Sequence, residues 1–131
     1  MNKREKAVEN HKNGCNCAQA VACVFADRLG RSEDEIFRFT EAFGGGMGGT
    51  QGVCGAVSAV VFVAGGIKSY GINKLPETNK KESYNSAREL MGRFRSQIGT
   101  IMCGEIKSEC RFSCDKCIEV AVEILEEFIE Q

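Results

Sequence analysis

The sequence predicts an all-α fold, a single-domain bundle of five to six helices with a glycine-rich loop before a buried central helix. Apolar residues recur at three- and four-residue spacing in several segments, and helix-capping residues precede these segments. No segment shows the strict alternation of apolar and polar residues that is typical of a half-buried strand. A chain of 131 residues with a single proline is long enough to bury one core, so we expect one domain over residues 1–131.

The N-terminal half is expected to contain two capped helices after a short polar one near Ala7. Asn16 should cap a helix that begins at Cys17 and ends at Gly30. Its inward stripe is expected to contain Ala18, Val21, Ala22, Phe25 and Leu29. Ser32 and Glu35 form a capping box for the next helix. That helix is expected to face the core with Ile36, Phe37, Phe39, Ala42 and Phe43.

Residues 53–64 are apolar on every side, which predicts a helix surrounded by other helices. The frequent valines of this segment would also suit a β-strand. However, Gly55, Ala56 and Ala59 at helical spacing favour a helix with a small-residue face. The pair Gly65-Gly66 is expected to end it.

In the C-terminal half, the apolar pattern predicts a long helix, then a short helix and then a final long helix. Thr78 or Asn79 should cap the first, and Gly99 should end it. Its inward residues are expected to be Tyr84, Ala87, Leu90, Met91, Phe94 and Ile98. Ser113 should cap the final helix. Its inner stripe is expected to contain Cys114, Cys117, Ala121, Ile124, Leu125 and Phe128. The long helix is basic outside and the final one acidic, so the two are expected to pair or to meet in a homo-oligomer.

Composition narrows the class of protein. A net charge of −1 and 27% charged residues offer no bulk attraction to nucleic acid or to a membrane. The polar opening residues do not form an export leader, and the longest apolar run is too short to span a bilayer. We therefore expect a cytoplasmic protein. Eight cysteines in a reducing compartment then indicate redox-active thiols, metal ligands or small buried apolar residues.

Four cysteines stand out by their placement rather than by their number. Cys17, Cys54 and Cys103 are each predicted at a helix start, and Cys117 lies one turn into the last helix, on its inner face. The N-terminus of a helix stabilises a thiolate and lowers the pKa of a thiol by about one unit or more from about 8.5. These four are the candidate catalytic residues of a thiol–disulfide or electron-transfer site. Cys23 is expected to project away from it.

Two other functions remain open for the same thiols. Cys17, Cys54, Cys103 and Cys117, with Cys114 as a further ligand, suit zinc or an iron–sulfur cluster, although the sequence requires neither cofactor. The run from Cys103 through Cys110 to Cys117 matches neither the zinc-ribbon nor the ferredoxin spacing. The third function is a non-catalytic helical adaptor whose cysteines are structural core residues.

The glycine loop and the single histidine complete the candidate residues. Backbone N–H groups of Gly45, Gly46, Gly48 and Gly49 are placed to cradle a phosphate or the pyrophosphate of a flavin. Neither a P-loop lysine after the loop nor a strand before it supports nucleotide binding. His11, the only histidine, is expected to be a solvated side chain, which argues against Ser–His or Cys–His–Asp catalysis.

A family resemblance rests on residues 16–21, 44–49, 52–56 and 103–106, and on Cys117 before Val120 and Ala121. In these stretches the chain resembles the small helical family of redox-active proteins named after its cysteine pattern, C_GCAxxG_C_C. The resemblance spans almost the whole chain and implies that Cys17, Cys54, Cys103 and Cys117 are the family's cysteines. It also implies a redox partner protein or oxidoreductase. The last glycine of the Cys-Gly-Ala-x-x-Gly element is Ala59 here, so a methyl group stands at that helix contact.

Overall fold

The structure is a computed structural model that describes residues 1–110 and 112–130, apart from the side chain of Cys110. The described part of the chain contains eight α-helices. They are α1 (Lys3–Lys12), α2 (Cys17–Cys23), α3 (Ala26–Leu29), α4 (Glu33–Thr40), α5 (Gly55–Lys68), α6 (Lys80–Ile98), α7 (Cys103–Glu105) and α8 (Cys114–Glu130). Short 3₁₀ turns follow α4 and α5, and a π-helical turn follows α7.

The all-α prediction is confirmed, because no strand occurs among the residues that the structure describes. The only β pairing there is an isolated antiparallel bridge between Val53 and Met102. Eight helices exceed the five to six that we expected. One reason is a break at Phe25, whose N–H donates to the carbonyl of Ala22 at 3.0 Å and whose ring is fully buried. The α-helical pairing is interrupted at this bond, so α2 ends at Cys23 and α3 begins at Ala26, whereas one helix was expected to reach Gly30.

Helix α5 lies at the centre and packs against α2, α6 and α8. Its buried residues are Gly55, Ala56, Val57, Ala59, Val60, Val63 and Ala64. The backbones of α5 and α2 lie close together, since a Cβ atom added to Gly55 would lie 3.1 Å from the backbone nitrogen of Ala18. The small residues near the start of α5 therefore let these two helices approach closely.

The expected end of the central helix at Gly65-Gly66 is wrong, because α5 continues to Lys68. Glycine inside a helix costs about 1 kcal/mol relative to alanine, which the tertiary contacts of α5 offset. A Cβ atom on Gly66 would lie 2.7 Å from Cδ2 of Leu29. Gly66 thus makes room for α3 and does not end the helix.

Several predicted inward residues face solvent. In α4 only one face packs, against α2, so Ile36 and Thr40 are buried whereas Phe37, Phe39 and Ala42 are exposed. In α6 the first buried residue is Leu90, and Tyr84 is exposed. Both segments are helical as predicted, but the packed face of each helix is narrower and shorter than its apolar pattern suggests.

The predicted caps account for the helix starts near the cysteines. Oδ1 of Asn16 accepts from the N–H of Gln19 at 2.9 Å, and Oγ of Ser113 accepts from the N–H of Lys116 at 3.1 Å. Arg93 of α6 and Glu127 of α8 form an ion pair, so the basic and acidic helices do pair within the chain. Within the described residues, none of the helices combines the length and apolarity needed to cross a bilayer.

Candidate functional site

The N-terminal ends of α2, α5, α7 and α8 surround one pocket of about 210 Å³. Five thiols line it: Cys17, Cys54, Cys103, Cys114 and Cys117. A larger surface groove of about 580 Å³ is lined by residues of α1 together with Glu119 and contains no thiol. The small pocket therefore brings together five of the eight thiols of the chain.

Backbone pairing aligns two of these cysteines. The N–H of Cys54 donates to the carbonyl of Ile101 at 2.7 Å, and the N–H of Cys103 donates to the carbonyl of Gly52 at 2.7 Å. These two bonds flank the bridge between Val53 and Met102. The pairing holds the start of α5 beside the start of α7, although about fifty residues separate them in the sequence.

Cys54 is buried and is itself the N-cap residue of α5. The Cys117 thiol, and after it the backbone N–H groups of Ala56 and Val57 in the first turn of α5, favour the thiolate of Cys54. These groups, with the charge of Lys107, outweigh the opposing effect of burial and lower the pKa of Cys54 to about 7. The thiolate of Cys54 is therefore populated at neutral pH.

Cys117 has the opposite character. It is buried on α8, and donating to Cys54 favours its protonated form, so its pKa lies well above the ordinary range. The causes, in order, are the hydrogen bond to Cys54, burial and the negative charge of Cys54. The pair is therefore asymmetric, with the proton on Cys117 and the negative charge on Cys54.

A second sulfur pair lies in the same pocket. The sulfur atoms of Cys17 and Cys114 lie within 4.8 Å of each other, and burial followed by the nearby Cys114 raises the pKa of Cys17. The expectation that a helix start lowers the pKa of Cys17 is wrong. Cys17 is the first residue of α2 rather than its cap, and the Asn16 side chain already accepts from the first-turn N–H of Gln19. Cys114 is exposed, although it was expected on the inner stripe.

Cys103 lines the pocket as the first residue of α7 and is buried. Close packing with the glycine loop holds it there. Gly46 has φ +75°, and a Cβ atom added to it would lie 2.7 Å from Cβ of Cys103 and 2.6 Å from the nitrogen of Gly52. A glycine is required at this position for both its backbone conformation and its contact.

The four glycines proposed to cradle a phosphate divide into two pairs. Gly45 and Gly46 line the pocket, whereas Gly48 and Gly49 do not. The N–H groups of Gly48 and Gly49 donate to the carbonyls of Ala42 and Gly44. All four glycines have positive φ, which lets the chain fold back on itself between α4 and α5.

His11 is the residue whose position the sequence did not reveal. It lies in the last turn of α1, is half-buried, and its Nδ1 is 3.0 Å from Oδ1 of Asp115 on α8. It lines the pocket, and one ligand atom from each of His11, Cys17 and Cys114 lies within 4.8 Å of the others. The expectation of a solvated side chain is therefore wrong. The nearness of His11 to Cys15 and Cys17 in sequence was the only available signal.

The remaining cysteines lie elsewhere or outside the description. Cys15 and Cys23 line a separate surface depression beside Glu33, so Cys23 is away from the pocket as predicted. Cys23 is nonetheless buried, and burial together with the neighbouring Cys15 raises its pKa to about 11. The side chain of Cys110 lies outside the described part of the structure. The expectation that Cys110 belongs to a metal-binding run therefore stays a prediction.

Comparison with protein families gives one match. The family described as "Putative redox-active protein (C_GCAxxG_C_C)" matches residues 15–128, which is most of the chain. No curated protein and no solved structure matches the chain.

Proposed function

Because the chain belongs to the C_GCAxxG_C_C family of redox-active proteins, we propose that it carries out thiol–disulfide exchange, with Cys54 as the attacking thiolate and Cys117 as the resolving thiol. Cys17 and Cys103 line the same pocket and shape its surroundings. The substrate is a disulfide of a partner protein or of a small thiol compound.

The single observation that carries the proposal is that Cys54 and Cys117 line the same pocket, where the Cys117 thiol is the largest cause that lowers the pKa of Cys54. A thiolate is the nucleophile in disulfide exchange, and a second thiol within hydrogen-bonding distance is positioned to resolve the mixed disulfide. Cys54 has the thiolate-stabilising donors, and Cys117 has the proton. The two cysteines therefore have different proposed roles: Cys54 attacks the substrate disulfide, and Cys117 resolves the mixed disulfide.

The reaction balances as a two-electron exchange. The Cys54 thiolate attacks one sulfur of the substrate disulfide, which forms a mixed disulfide and releases the other sulfur as a thiolate. This step removes the negative charge that holds the proton on Cys117. Cys117 then loses its proton to the released thiolate and attacks Cys54, which yields a Cys54–Cys117 disulfide and a second substrate thiolate. That thiolate takes a proton from solvent. The protein is oxidised and the substrate is reduced.

Tryptic mapping after mild oxidation tests this pairing directly, because cleavage after lysine and arginine separates the relevant thiols. Peptide 39–68 contains only Cys54, peptide 96–107 only Cys103, peptide 112–116 only Cys114 and peptide 117–131 only Cys117. Treatment with an equilibrium glutathione buffer, followed by acid quenching and blocking of free thiols, should link peptide 39–68 to peptide 117–131. The same linkage should disappear at more reducing buffer ratios.

Variants separate this proposal from its rivals. Cys54→Ser should abolish the linkage, whereas Cys23→Ser, which is outside the pocket, should leave it unchanged. A dominant linkage of peptide 39–68 to peptide 96–107 would assign the resolving role to Cys103 instead. Absence of any linkage under oxidising buffer would instead support a structural role for these thiols.

A further inference from the structure

We infer that His11, Cys17 and Cys114 form a binding site for a single zinc-class metal ion, beside the Cys54–Cys117 pair and separate from it. The three ligand atoms lie within 4.8 Å of one another. A tetrahedral zinc ion, with bonds of about 2.3 Å to sulfur and about 2.0 Å to nitrogen, needs its ligand atoms roughly 3.5–3.8 Å apart. Closing the site therefore requires side-chain shifts of about 1 Å or less, which rotamer adjustment provides.

The ligands come from three helices that the fold already holds together. His11 lies in the last turn of α1, Cys17 is the first residue of α2, and Cys114 is the first residue of α8. Only residues 13–16 connect α1 to α2, and the N–H of Cys15 donates to the carbonyl of Asn10 at 3.0 Å to close this turn. Helix α1 packs directly against α8. The site is thus assembled by tertiary packing.

Asp115 gives the histidine the support typical of a metal ligand. Its Oδ1 lies 3.0 Å from Nδ1 of His11, which orients the ring and leaves Nε2 as the nitrogen that binds a metal. A carboxylate on the far side of a ligating imidazole fixes the tautomer and increases the basicity of the ligating nitrogen.

The donor set indicates the class of ion. One imidazole and two thiolates suit zinc or another borderline-to-soft ion, and disfavour magnesium and calcium, which prefer oxygen ligands. Three protein ligands leave the fourth position of a tetrahedral ion free for water or for an added ligand. An ion bound here would also join α1, α2 and α8, so it should increase the thermal stability of the protein.

The test is a zinc titration of the reduced, metal-free protein under anaerobic conditions, in competition with a chromophoric chelator. We expect one zinc per chain, a higher melting temperature, and a cobalt-substituted spectrum with thiolate charge-transfer bands and tetrahedral d–d bands. His11→Gln, Cys17→Ser and Cys114→Ser should each weaken zinc binding at least about 10-fold, and Asp115→Asn should do so about 10- to 100-fold. Cys114 is exposed, so its serine variant should fold normally, as circular dichroism can verify.

Matched variants make the outcome decisive. Cys23→Ser removes a thiol outside the pocket and Cys54→Ser removes one inside it, and neither should change zinc affinity by more than about 2-fold. Zinc binding that survives in His11→Gln and Cys114→Ser but is lost in Cys54→Ser would overturn the site. So would a lack of stoichiometric binding. The disulfide between Cys54 and Cys117 is measured by peptide mapping, independently of zinc binding. Failure of the zinc proposal therefore does not affect the test of disulfide exchange, and the reverse also holds.

Discussion

The Cys54 thiol differs from the other thiols of the pocket because the Cys117 thiol and the start of α5 both favour its thiolate. Cys54 is the N-cap residue of α5, and the backbone N–H groups of Ala56 and Val57 lower its pKa further after Cys117. Cys17 begins α2, but the Asn16 side chain occupies the capping position there. The Cys117 partner and the first-turn N–H groups of α5 therefore distinguish Cys54 from Cys17, whose pKa is raised chiefly by burial.

We predict that alkylation of Cys54 follows an apparent pKa of about 7. At pH 7 about half of Cys54 should be thiolate, against roughly 3% of an ordinary cysteine. Because only the thiolate reacts, the rate should rise from about pH 6 and level off above about pH 8, where an ordinary thiol is still gaining reactivity. The rate is measured by mass spectrometry of tryptic peptide 39–68 after short pulses of iodoacetamide.

The paired variants at Cys117 test the cause of this pKa. Cys117→Ala removes the hydrogen-bond donor that contributes most to lowering the pKa of Cys54, so the apparent pKa should rise by about one unit or more. Cys117→Ser retains a hydroxyl donor and should produce a smaller rise. If both variants keep the wild-type profile, the N-terminus of α5 alone stabilises the thiolate.

At the scale of helices, the contact between α2 and α5 sets the width of the pocket. Gly55 lies between them, with room for a Cβ atom only if Ala18 and Cys17 give way by a few tenths of an ångström. The neighbouring Ala56 and Ala59 are fully buried, so the methyl group of Ala59 is accommodated at the position where the family pattern has glycine. At the α2–α5 contact, the need for a small residue is thus greater at Gly55 than at Ala59.

We predict that Gly55→Ala and Gly65→Ala have opposite effects on stability, although both lie in α5. Nothing lies within 4 Å of a Cβ atom at Gly65, so alanine there should raise the free energy of unfolding by about 0.5–1 kcal/mol. Alanine at Gly55 would approach the backbone nitrogen of Ala18 to 3.1 Å, and should lower the free energy by about 1–2 kcal/mol. Urea unfolding followed by circular dichroism measures both.

The reactivity of Cys17 provides a second measurement for the two variants Gly55→Ala and Gly65→Ala. Gly55→Ala should change alkylation of Cys17, because the alanine Cβ would lie 3.4 Å from Cβ of Cys17. Gly65→Ala should not. Peptide 13–28 also contains Cys15 and Cys23, so fragmentation of the peptide locates the alkylated cysteine. If both alanine variants raise the free energy of unfolding equally, α2 moves aside at little cost. The contact between α2 and α5 at Gly55 would then not exclude a methyl group.

At the scale of the whole molecule, the proposed disulfide would join α5 to α8 and close a loop of about half the chain. Closing a loop of this size in the unfolded state stabilises the folded protein by up to about 4 kcal/mol in the chain-entropy model. We therefore predict that the oxidised protein unfolds at a higher urea concentration than the reduced protein. The measurement compares the two forms of the same chain in urea.

The Cys54→Ser variant is the control for this comparison, since its urea midpoint should be the same with and without the oxidant. A shift of equal size in that variant would show that another pair of cysteines forms the stabilising link. Lower stability of the oxidised wild-type protein would indicate that closing the bond distorts the packing of α5 against α8.

Local signals in the sequence predicted most of the helices and their caps. Asn16, Ser32 and Ser113 cap helices as expected, since capping depends on residues only two or three positions apart. The interruption at Phe25 and the continuation of α5 past Gly65 were not predicted. Both depend on what packs against those residues, and packing partners are distant in sequence.

The sequence alone determined that this protein is helical, that its cysteines gather at helix starts, and that it belongs to a redox-active family. Helix periods, caps and motifs could be predicted because they depend on residues that are close together in the sequence. Only the tertiary structure decided that Cys54 meets Cys117, and that His11 approaches Cys17 and Cys114. These contacts join α5 to α8 and α1 to α8, and the protonation of each thiol depends on the burial and the partners that such long-range packing provides.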